Sequence, residues 1–278
     1  MSADASLAAA ANCIRPLGEP FPCLLLVDEP APGAWNMAVD EALLDAAADA
    51  SVAALRFYRW SSPTLSLGYF QPFACREEHP PSLPLEVVRR LSGGGALVHD
   101  QELTYALCLP AAHPLAQRPP CAYSAVHHAL IEVLARQGIT AELAGEAPAV
   151  GEEPFLCFRR RSNLDVVGPL PPASCRPAAT APPKICGSAQ RRRRGALLQH
   201  GSLLRGASRA APDLLGIDDL VASAPPCEQL VGPWSHAIAA ACGLRLEAPG
   251  DGFRTRLAEA AERLAGRKYR AAEWTRRR

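Results

Sequence analysis

The sequence lacks the features that would place it in a membrane, on nucleic acid or outside the cell. No apolar run approaches the roughly 20 residues that a helix needs to cross a bilayer. The formal net charge of the 278 residues is only +1, so no global field attracts nucleic acid or an anionic membrane. Residues 1–20 lack the basic start and long apolar core of a secretory signal. We therefore expect a cytoplasmic protein that binds neither nucleic acid nor membrane.

Paired cysteines and the common nucleotide motifs are absent as well. None of the ten cysteines forms a C-x-x-C pair, and a chain of this length needs no disulfides to fold, so we predict reduced and mostly buried thiols. Neither G-x-G-x-x-G nor the P-loop lysine motif occurs, which removes the usual nucleotide-binding fingerprints. The adjacent His127 and His128 cannot share one helix face, so we interpret them as packing or surface residues and predict no metal site.

What the sequence does contain is a series of short segments with strand or helix patterns. Apolar residues make up 49% of the chain and charged residues 21%, the composition of a globular protein. Apolar or alternating runs predict strands at 22–28, 54–60 and 64–68, with 54–60 half buried. Because early strands outnumber helices and several are joined by short turns, the pattern predicts an α+β fold with a mixed or antiparallel sheet.

Segments rich in strong helix formers predict helices that flank this sheet. In the first of them, Asp40 and Glu41 are interpreted as solvated charges. Residues 168–183 contain six prolines in sixteen positions, so we predict a projecting loop there. The four predicted helices span 34–50, 122–137, 231–244 and 253–264.

The segment RRLSGGGALVHD at 89–100 is the first candidate for a binding site. Its consecutive glycines, Gly93, Gly94 and Gly95, lose more backbone entropy on folding than other residues and therefore need a reason. A plain hairpin turn is one reason. The other is a backbone wall without side chains, where a ligand approaches main-chain N–H groups closely. An arginine pair precedes the glycines and a His-Asp pair follows them, so charges of both signs meet at one turn. This favours the second interpretation.

A second candidate segment, KICGSAQ at 184–190, begins with Lys184 at the start of a predicted strand. Gly187 and the small residues after it leave room for a ligand. The following turn carries four arginines at 191–194, which are either a solvated hairpin tip or a docking site for an acidic partner. His200, beyond the turn, is either a structural histidine or part of the site.

Several of these segments together resemble the catalytic domain of the biotin and lipoate protein ligase family. The resemblance covers about residues 22–248. It implies a single ligase-like α+β catalytic domain at 21–248, after a flexible leader at 1–20 and before a helical extension at 249–278. The matching segments occur in the family's order: NMAVDEALL at 36–44, LRFYRW at 55–60, PTLSLGYFQ at 63–71, RRLSGGGALVHD at 89–100, KICGSAQ at 184–190 and QHGSLL at 199–204.

Within that family, the Cys157-Phe158 pair upstream of the lysine motif resembles the octanoyltransferases that are built on a ligase-like scaffold. Those enzymes move octanoyl from acyl carrier protein to a lysine of a lipoyl-type domain, commonly the glycine cleavage H protein, as an early step of protein lipoylation. The resemblance implies catalytic roles for Cys157 and Lys184 and no cofactor. It also implies substrate-binding roles for charged residues and glycines of the candidate segments: Arg90, Gly93, Gly94, Gly95, His99, Gly187 and His200.

One departure from the family pattern concerns the spacing of the two catalytic residues. Cys157 and Lys184 are 27 positions apart, more than we expect for this family. An insertion in a hairpin loop need not move the strands beside it. Cys186 is a rival nucleophile, because it lies two residues from Lys184 on the same strand face. Since the family usually has a small residue at that position, we interpret Cys186 as a packing residue.

Thiol chemistry explains why a cation beside Cys157 would matter. A free thiol titrates near pH ~8.5, so only a small part is thiolate, the attacking form, at neutral pH. We expect the Lys184 ammonium to lie beside the Cys157 sulfur and to favour the thiolate. Octanoyl would then pass from the carrier thioester to Cys157 and on to the acceptor lysine. The loop formed by Gly93, Gly94 and Gly95, which we call the glycine loop, would supply N–H groups to the acyl carbonyl.

Two other functions remain open on sequence alone. In an ATP-dependent lipoate protein ligase, the glycine loop and Arg90 would bind the acyl-adenylate phosphate, Lys184 would contact the same intermediate, and ATP with magnesium would be required. Only about thirty residues follow position 248, too few for the accessory domain that many such ligases carry. A catalytically silent acyl-binding protein would tolerate the loss of Cys157, whereas this sequence retains both Cys157 and Lys184.

Overall fold

The computed structural model describes residues 19–146, 153–171 and 181–278. The predicted leader at 1–20 therefore lies almost wholly outside the described residues, as does the middle of the proline-rich segment at 168–183. The strands are β1 (Phe21–Val27), β2 (Ala53–Tyr58), β3 (Thr64–Leu67), β4 (Glu86–Arg89), β5 (Leu97–His99), β6 (Glu102–Leu109), β7 (Glu142–Leu143), β8 (Val166–Val167), β9 (Lys184–Arg193), β10 (Ala196–Leu204) and β11 (Leu244–Glu247). The helices are α1 (Gly33–Ala50), α2 (Pro119–Arg136), α3 (Ile217–Leu220), α4 (Cys227–Cys242), α5 (Asp251–Leu264) and α6 (Ala272–Thr275).

Two mixed sheets form the centre of the molecule. The larger has eight strands in the order β11-β1-β2-β6-β10-β9-β8-β7, and the smaller has the order β4-β3-β5. Strand β1 runs parallel to both of its neighbours, whereas the pairs from β2 to β7 are antiparallel. Helices α2 and α4 pack on one face of the large sheet, and α1 and α5 pack on the other. The predicted α+β fold with a mixed sheet and flanking helices is confirmed.

Strand β2 is wholly buried, so the prediction of a half-buried strand at 54–60 was wrong. Leu55 and Phe57 face the core beneath α2 and α4, while Ala54 and Tyr58 face the core beneath α1. The one charged residue of the strand, Arg56, is fully buried and forms ion pairs with Asp28 and Asp40. Alternation of polar and apolar residues misleads when the polar residue has buried partners.

The interpretation of Asp40 and Glu41 as solvated charges was also wrong. They are only 2% and 4% exposed. Asp40 accepts hydrogen bonds from Arg56 and Tyr58. Glu41 accepts from Lys268 and from Tyr269, whose hydroxyl is 2.6 Å away. Because burial of a carboxylate is costly without such partners, both side chains are structural anchors between α1 and the rest of the chain.

The later helices differ from their predicted bounds at their ends. The helix predicted at 231–244 begins earlier, at Cys227, and ends before Leu244, which is already in β11. Gly243 terminates α4 with a left-handed conformation, φ 65°. In the part of the chain that the structure describes, no helix is both long and apolar enough to span a membrane.

The arginine turn contacts this chain's own helix α1 rather than forming a free tip. Strand β9 extends through Arg193, and only Arg194 and Gly195 have positive φ at the turn. Arg193 pairs with Glu41, and Arg194 pairs with Asp49 at 2.6 Å. These two of the four arginines are therefore neutralised within the molecule.

The ends of the proline-rich segment meet. The N–H of Gly168, after β8, donates to the carbonyl of Pro183, before β9, at 2.9 Å. Because β8 and β9 pair as antiparallel neighbours, extra residues between them lengthen the chain without displacing either strand. The 27-residue spacing between Cys157 and Lys184 therefore does not separate these residues in space.

Among the residues that the structure describes, every cysteine but one is a free thiol. Cys121 is disulfide-bonded, contrary to the prediction of reduced thiols throughout. Among the described residues seven cysteines are free: Cys23, Cys75, Cys108, Cys157, Cys186, Cys227 and Cys242.

Candidate active site

A narrow cavity beside β10 brings together five of the residues predicted for the site. Its lining includes Arg90, His99, Cys157, Gly187 and His200. The five come from four separate segments of the chain, so their convergence depends on the fold. A larger groove between α2 and α4 contains none of the predicted site residues.

Cys157 lies directly against the glycine loop. It begins a short 3-10 turn, Cys157–Arg159, and is half buried. Two backbone hydrogen bonds dock this segment beside the loop: Ala96 N–H to the Phe155 carbonyl at 2.9 Å, and Cys157 N–H to the Ala96 carbonyl at 2.7 Å. A Cβ atom added to Gly94 would lie only 3.9 Å from the Cys157 sulfur. The thiol is thus presented where the loop has no side chains.

The glycine loop is built for close approach of backbone. Gly94 has φ 89°, a conformation that other residues rarely adopt. The Gly94 carbonyl packs against Gly68 so tightly that a Cβ on Gly68 would lie 2.0 Å from its oxygen. The carbonyls of Gly93 and Gly95 turn inward and accept hydrogen bonds from Arg90 at 2.9 and 2.6 Å. The loop therefore contributes carbonyl acceptors to the Arg90 cation. That its N–H groups bind an acyl carbonyl stays a prediction.

Arg90 is a buried cation without a carboxylate partner among the described residues. Besides the two glycine carbonyls, its guanidinium donates to the Ser66 carbonyl and hydroxyl, and its Nε has no partner within that part of the chain. Burial lowers the pKa of Arg90 to about 10, and the neighbouring Cys157 sulfur acts in the opposite direction. A positive charge thus faces the thiol from the side of the glycine loop.

Lys184 contacts the backbone of Cys157 without lining the cavity, and it is paired. Its ammonium lies 2.8 Å from Asp165, and both side chains are buried. The same ammonium is 3.4 Å from the carbonyl oxygen of Cys157. A Cβ on Gly187 would lie 2.5 Å from the Lys184 Cε, so only glycine lets the lysine side chain cross this point. Lys184 therefore contacts the backbone of Cys157, while Asp165 balances its charge.

Asp165 was missed by sequence reasoning, although it ends the segment that carries Cys157. It is 2% exposed and also accepts hydrogen bonds from the Tyr123 hydroxyl and the Ser162 N–H. The available signal was a single carboxylate directly before an apolar strand, β8. Such a carboxylate must find a partner when the strand is buried.

His99 and His200 each connect a serine to a carboxylate. His99 lies 2.7 Å from the Ser66 hydroxyl through Nε2 and 2.7 Å from Glu102 through Nδ1. His200 lies 2.5 Å from the Ser92 hydroxyl and 2.9 Å from Asp40 in the same arrangement. Ser66 in turn contacts Arg90, and Ser92 directly precedes the glycines. Both histidines thus support the glycine loop as well as lining the cavity.

The serines and carboxylates of these two networks were not recognised in the sequence. Serine and a lone acidic residue are common on any surface, and only the fold brings each pair to a histidine. The missed residues are Asp40, Ser66, Ser92 and Glu102.

Cys186, the rival nucleophile, lies in the core and not at the cavity. It is 0% exposed, and burial raises its pKa well above the ordinary thiol range. The interpretation of Cys186 as a packing residue agrees with this placement. No cluster of three or more potential metal ligands occurs in the ranges that the structure describes.

Comparisons with known proteins point to one family. The family model described as the lipoyl protein ligase A/B catalytic domain matches residues 32–219. A protein of Brevibacillus brevis named octanoyltransferase LipM is 35% identical over 190 residues, 64% of this chain and 64% of that protein. The protein of the same name from Kyrpidia tusciae is 32% identical over 272 residues, 87% of this chain and 93% of that protein. The alignment with the Brevibacillus relative thus spans less than two thirds of its length.

Solved structures support the fold. A putative lipoate protein ligase from T. acidophilum, solved with bound lipoic acid, superposes with a TM-score of 0.63 at 19% identity, covering 93% of this chain and all of that one. At this identity the likeness concerns the fold alone. The family-model match over residues 32–219, more than half of the chain, shows that the chain belongs to the lipoyl protein ligase A/B catalytic-domain family.

Proposed function

We propose that this protein transfers octanoyl groups in protein lipoylation and that Cys157 carries the acyl group as a thioester. The observation that carries the proposal is the position of Cys157, whose sulfur lies against Gly94 in the cavity, beside the unpaired cation of Arg90. Relatives named octanoyltransferase support octanoyl as the acyl group.

The reaction consists of two transfers. In the first, the Cys157 thiolate attacks the thioester carbonyl of octanoyl-acyl carrier protein, the carbon–sulfur bond to the carrier breaks, and the carrier leaves as a thiolate that takes a proton from water. In the second, the amine of a lysine on a lipoyl-type domain, such as glycine cleavage H protein, attacks the new thioester. An amide forms, the Cys157 thiolate is released, and the amine proton passes to water.

No cofactor is needed for this sequence of steps. The donor is already an activated thioester. The acyl-enzyme holds the octanoyl group as a thioester as well, so the group stays activated until the amide forms. We therefore propose that neither ATP nor magnesium takes part, which distinguishes the reaction from that of a ligase.

The residues around the thiol have separate roles. The Arg90 charge stabilises the thiolate and the negative charge that develops on the acyl carbonyl. Lys184, oriented by Asp165, positions the backbone of Cys157. Gly93, Gly94 and Gly95 let the acyl carbonyl approach main-chain groups, and Gly187 leaves the path for Lys184 open. His99 and His200 fix the cavity wall through Ser66 and Ser92.

The test is intact-mass analysis after mixing the protein with octanoyl-acyl carrier protein in the absence of ATP. We expect a single octanoyl adduct that maps to Cys157 and is lost in Cys157→Ala, together with transfer to the acceptor domain. Cys75→Ala is a matched control, because Cys75 is also a half-buried free thiol but lies outside the cavity. It should retain both adduct and transfer.

Two outcomes would contradict the proposal. Ordinary transfer by Cys157→Ala would exclude covalent catalysis through this residue. Strict dependence on ATP, with free octanoate or lipoate as the better donor, would assign the chain to the ligases instead.

A further inference from the structure

An exposed aromatic and basic surface adjoins the outer side of the glycine loop. We call it the rim surface and define it by Tyr69, Phe70, Arg191, Arg277 and Arg278. Phe70 is 62% exposed, which is high for a phenylalanine, and its ring lies 3.8 Å from where a Cβ on Gly93 would be. The rim surface is therefore separated from Cys157 only by the thickness of the loop.

The arginines of the rim surface stack on its aromatic rings. Arg277 lies 3.7 Å from the Tyr69 ring centre and Arg191 lies 4.8 Å from it. Arg278 lies 5.3 Å from the Phe70 ring centre. Stacking on a ring positions a guanidinium while leaving much of its charge unneutralised.

None of these three arginines forms an ion pair with a carboxylate in the part of the chain that the structure describes. Arg193 and Arg194, only two and three positions after Arg191, are both paired with acidic residues of α1. Acidic partners are therefore present on the α1 side of this strand end, whereas none of the described carboxylates pairs with Arg191 beside Tyr69.

Further positive charge lies behind the rim surface. Arg89 is buried and donates to the carbonyls of Gly68 and Gln71. Burial, with the charges of Arg277 and Arg278, lowers the pKa of Arg89 to about 10. With Arg90 on the inner side of the loop, like charges concentrate around the glycine loop of a chain whose net charge is only +1.

We propose that the rim surface docks the acidic protein that delivers the acyl thioester, an inference that rests on the proposed function. Unpaired arginines stacked on two adjacent rings, of which Phe70 is exposed, favour an anionic protein surface with an apolar contact at its centre. The donor fits this charge better than the acceptor does, because the acceptor must bring a lysine ammonium past the same arginines. A donor docked here would lead its flexible acyl-bearing arm over the glycine loop to Cys157.

The experiment compares two octanoyl donors with the full-length protein. One is octanoyl-acyl carrier protein, and the other is the octanoyl thioester of N-acetylcysteamine, which has neither charge nor protein. The variants are Arg191→Glu with Arg277→Glu, and separately Phe70→Ala. Arg256→Glu, an exposed arginine on α5, is the matched control for charge reversal. The measured quantity is the second-order rate constant for acylation of Cys157.

At low salt we expect the double charge reversal to slow acylation by the carrier about tenfold or more, and Phe70→Ala to slow it less. Acylation by the small donor should stay within about twofold of wild type, and Arg256→Glu should change neither rate. The wild-type rate with the carrier should fall as salt rises, whereas the double variant should lose this dependence.

Three results would overturn the inference. Equal losses with both donors would show a distorted cavity, and an unchanged rate with the carrier would show that the rim surface is not used. A loss confined to the second transfer, from Cys157 to the lipoyl-type domain, would assign the surface to the acceptor. Failure of the proposed function looks different, because the wild-type protein would then accept octanoyl from neither donor.

Discussion

Two buried cations lie near Cys157, Arg90 in the lining of the cavity and Lys184 beyond it against the Cys157 backbone, but only Lys184 is neutralised nearby. Lys184 lies 2.8 Å from Asp165, so the pair adds little net charge beside Cys157. Arg90 instead donates to backbone carbonyls and a serine, and no ion pair balances it among the described residues. Its nearest link to a carboxylate runs through Ser66 and His99 to Glu102.

In the sequence, Lys184 and Arg90 look equivalent because both are positively charged. Their different pairing predicts different roles. A paired cation fixes geometry, because its position is set by its partner. A cation that donates only to neutral groups projects its charge toward whatever anion is near. We therefore expect Arg90, rather than Lys184, to be the main counter-charge of the Cys157 thiolate. We expect Lys184 to position the backbone of Cys157.

The largest effect should come from breaking the Lys184–Asp165 pair. Lys184→Met leaves a buried carboxylate alone, and Asp165→Asn leaves a buried ammonium alone, so each should lower the free energy of unfolding by ~3–5 kcal/mol. Combining both changes should cost much less than the sum of the two, because no uncompensated charge remains. Urea unfolding of the four proteins measures this coupling, and acylation of Cys157 should stay low in all three variants.

An exposed ion pair supplies the control for that cycle. Arg245 and Glu247 lie 3.0 Å apart on β11, with side chains 60% and 41% exposed. Removing either should change stability by less than ~1 kcal/mol. Additive costs at Lys184 and Asp165 would mean that the two charges do not interact as the structure shows.

The next largest effect should come from removing Arg90, the cation without a carboxylate partner among the described residues. Arg90→Met should slow alkylation of Cys157 by iodoacetamide at neutral pH, because the thiolate would lose the cation that lies beside it. The Lys184→Met and Asp165→Asn double variant should slow alkylation far less, since it removes two charges that cancel. Equal slowing in both proteins would show that the two cations do not differ in their effect on the sulfur.

The fold and the members of the site were largely accessible from the sequence, whereas their pairing was not. Glycine, helix and strand patterns are local, so they predicted α1, α2 and the segment from Lys184 onward. Asp40, Glu41 and Arg56 were misjudged because burial of a charge depends on partners that lie far away in the chain. Asp165 was missed for the same reason, and so was the pairing that distinguishes Lys184 from Arg90.

A smaller effect should follow from filling the space at Gly187. A Cβ there would meet the Lys184 Cε at 2.5 Å, so Gly187→Ala should displace the lysine and cost ~1–2 kcal/mol of stability. Acylation of Cys157 should fall, while its alkylation, governed from the Arg90 side, should change little. Gly232→Ala in α4 is the control, because nothing lies within 4 Å of the added methyl group. Slowed alkylation in Gly187→Ala would show that the Lys184 side also governs the charge state of the sulfur.

The smallest expected effect appears at acid pH and concerns the carboxylate behind Arg90. Burial alone would raise the pKa of Glu102, but the charge of His99 and hydrogen bonds from His99, Thr104 and Ser202 outweigh it and lower the pKa below its usual range. A lowered pKa in the folded state means that this carboxylate stabilises the fold above its unfolded pKa of ~4.3 and that the contribution is lost as pH falls through the lower, folded value. Urea unfolding from neutral pH down through this window should therefore show a shallower acid decline in Glu102→Gln than in wild type. Glu86→Gln, an exposed residue on β4, should leave the wild-type slope unchanged.

Because Glu102 reaches Arg90 only through His99 and Ser66, alkylation of Cys157 at neutral pH should respond weakly to Glu102→Gln. A response as large as that of Arg90→Met would mean that Glu102 acts on the cavity as a direct partner of Arg90. Arg90 would then be a paired cation like Lys184, and the difference between these two residues would disappear.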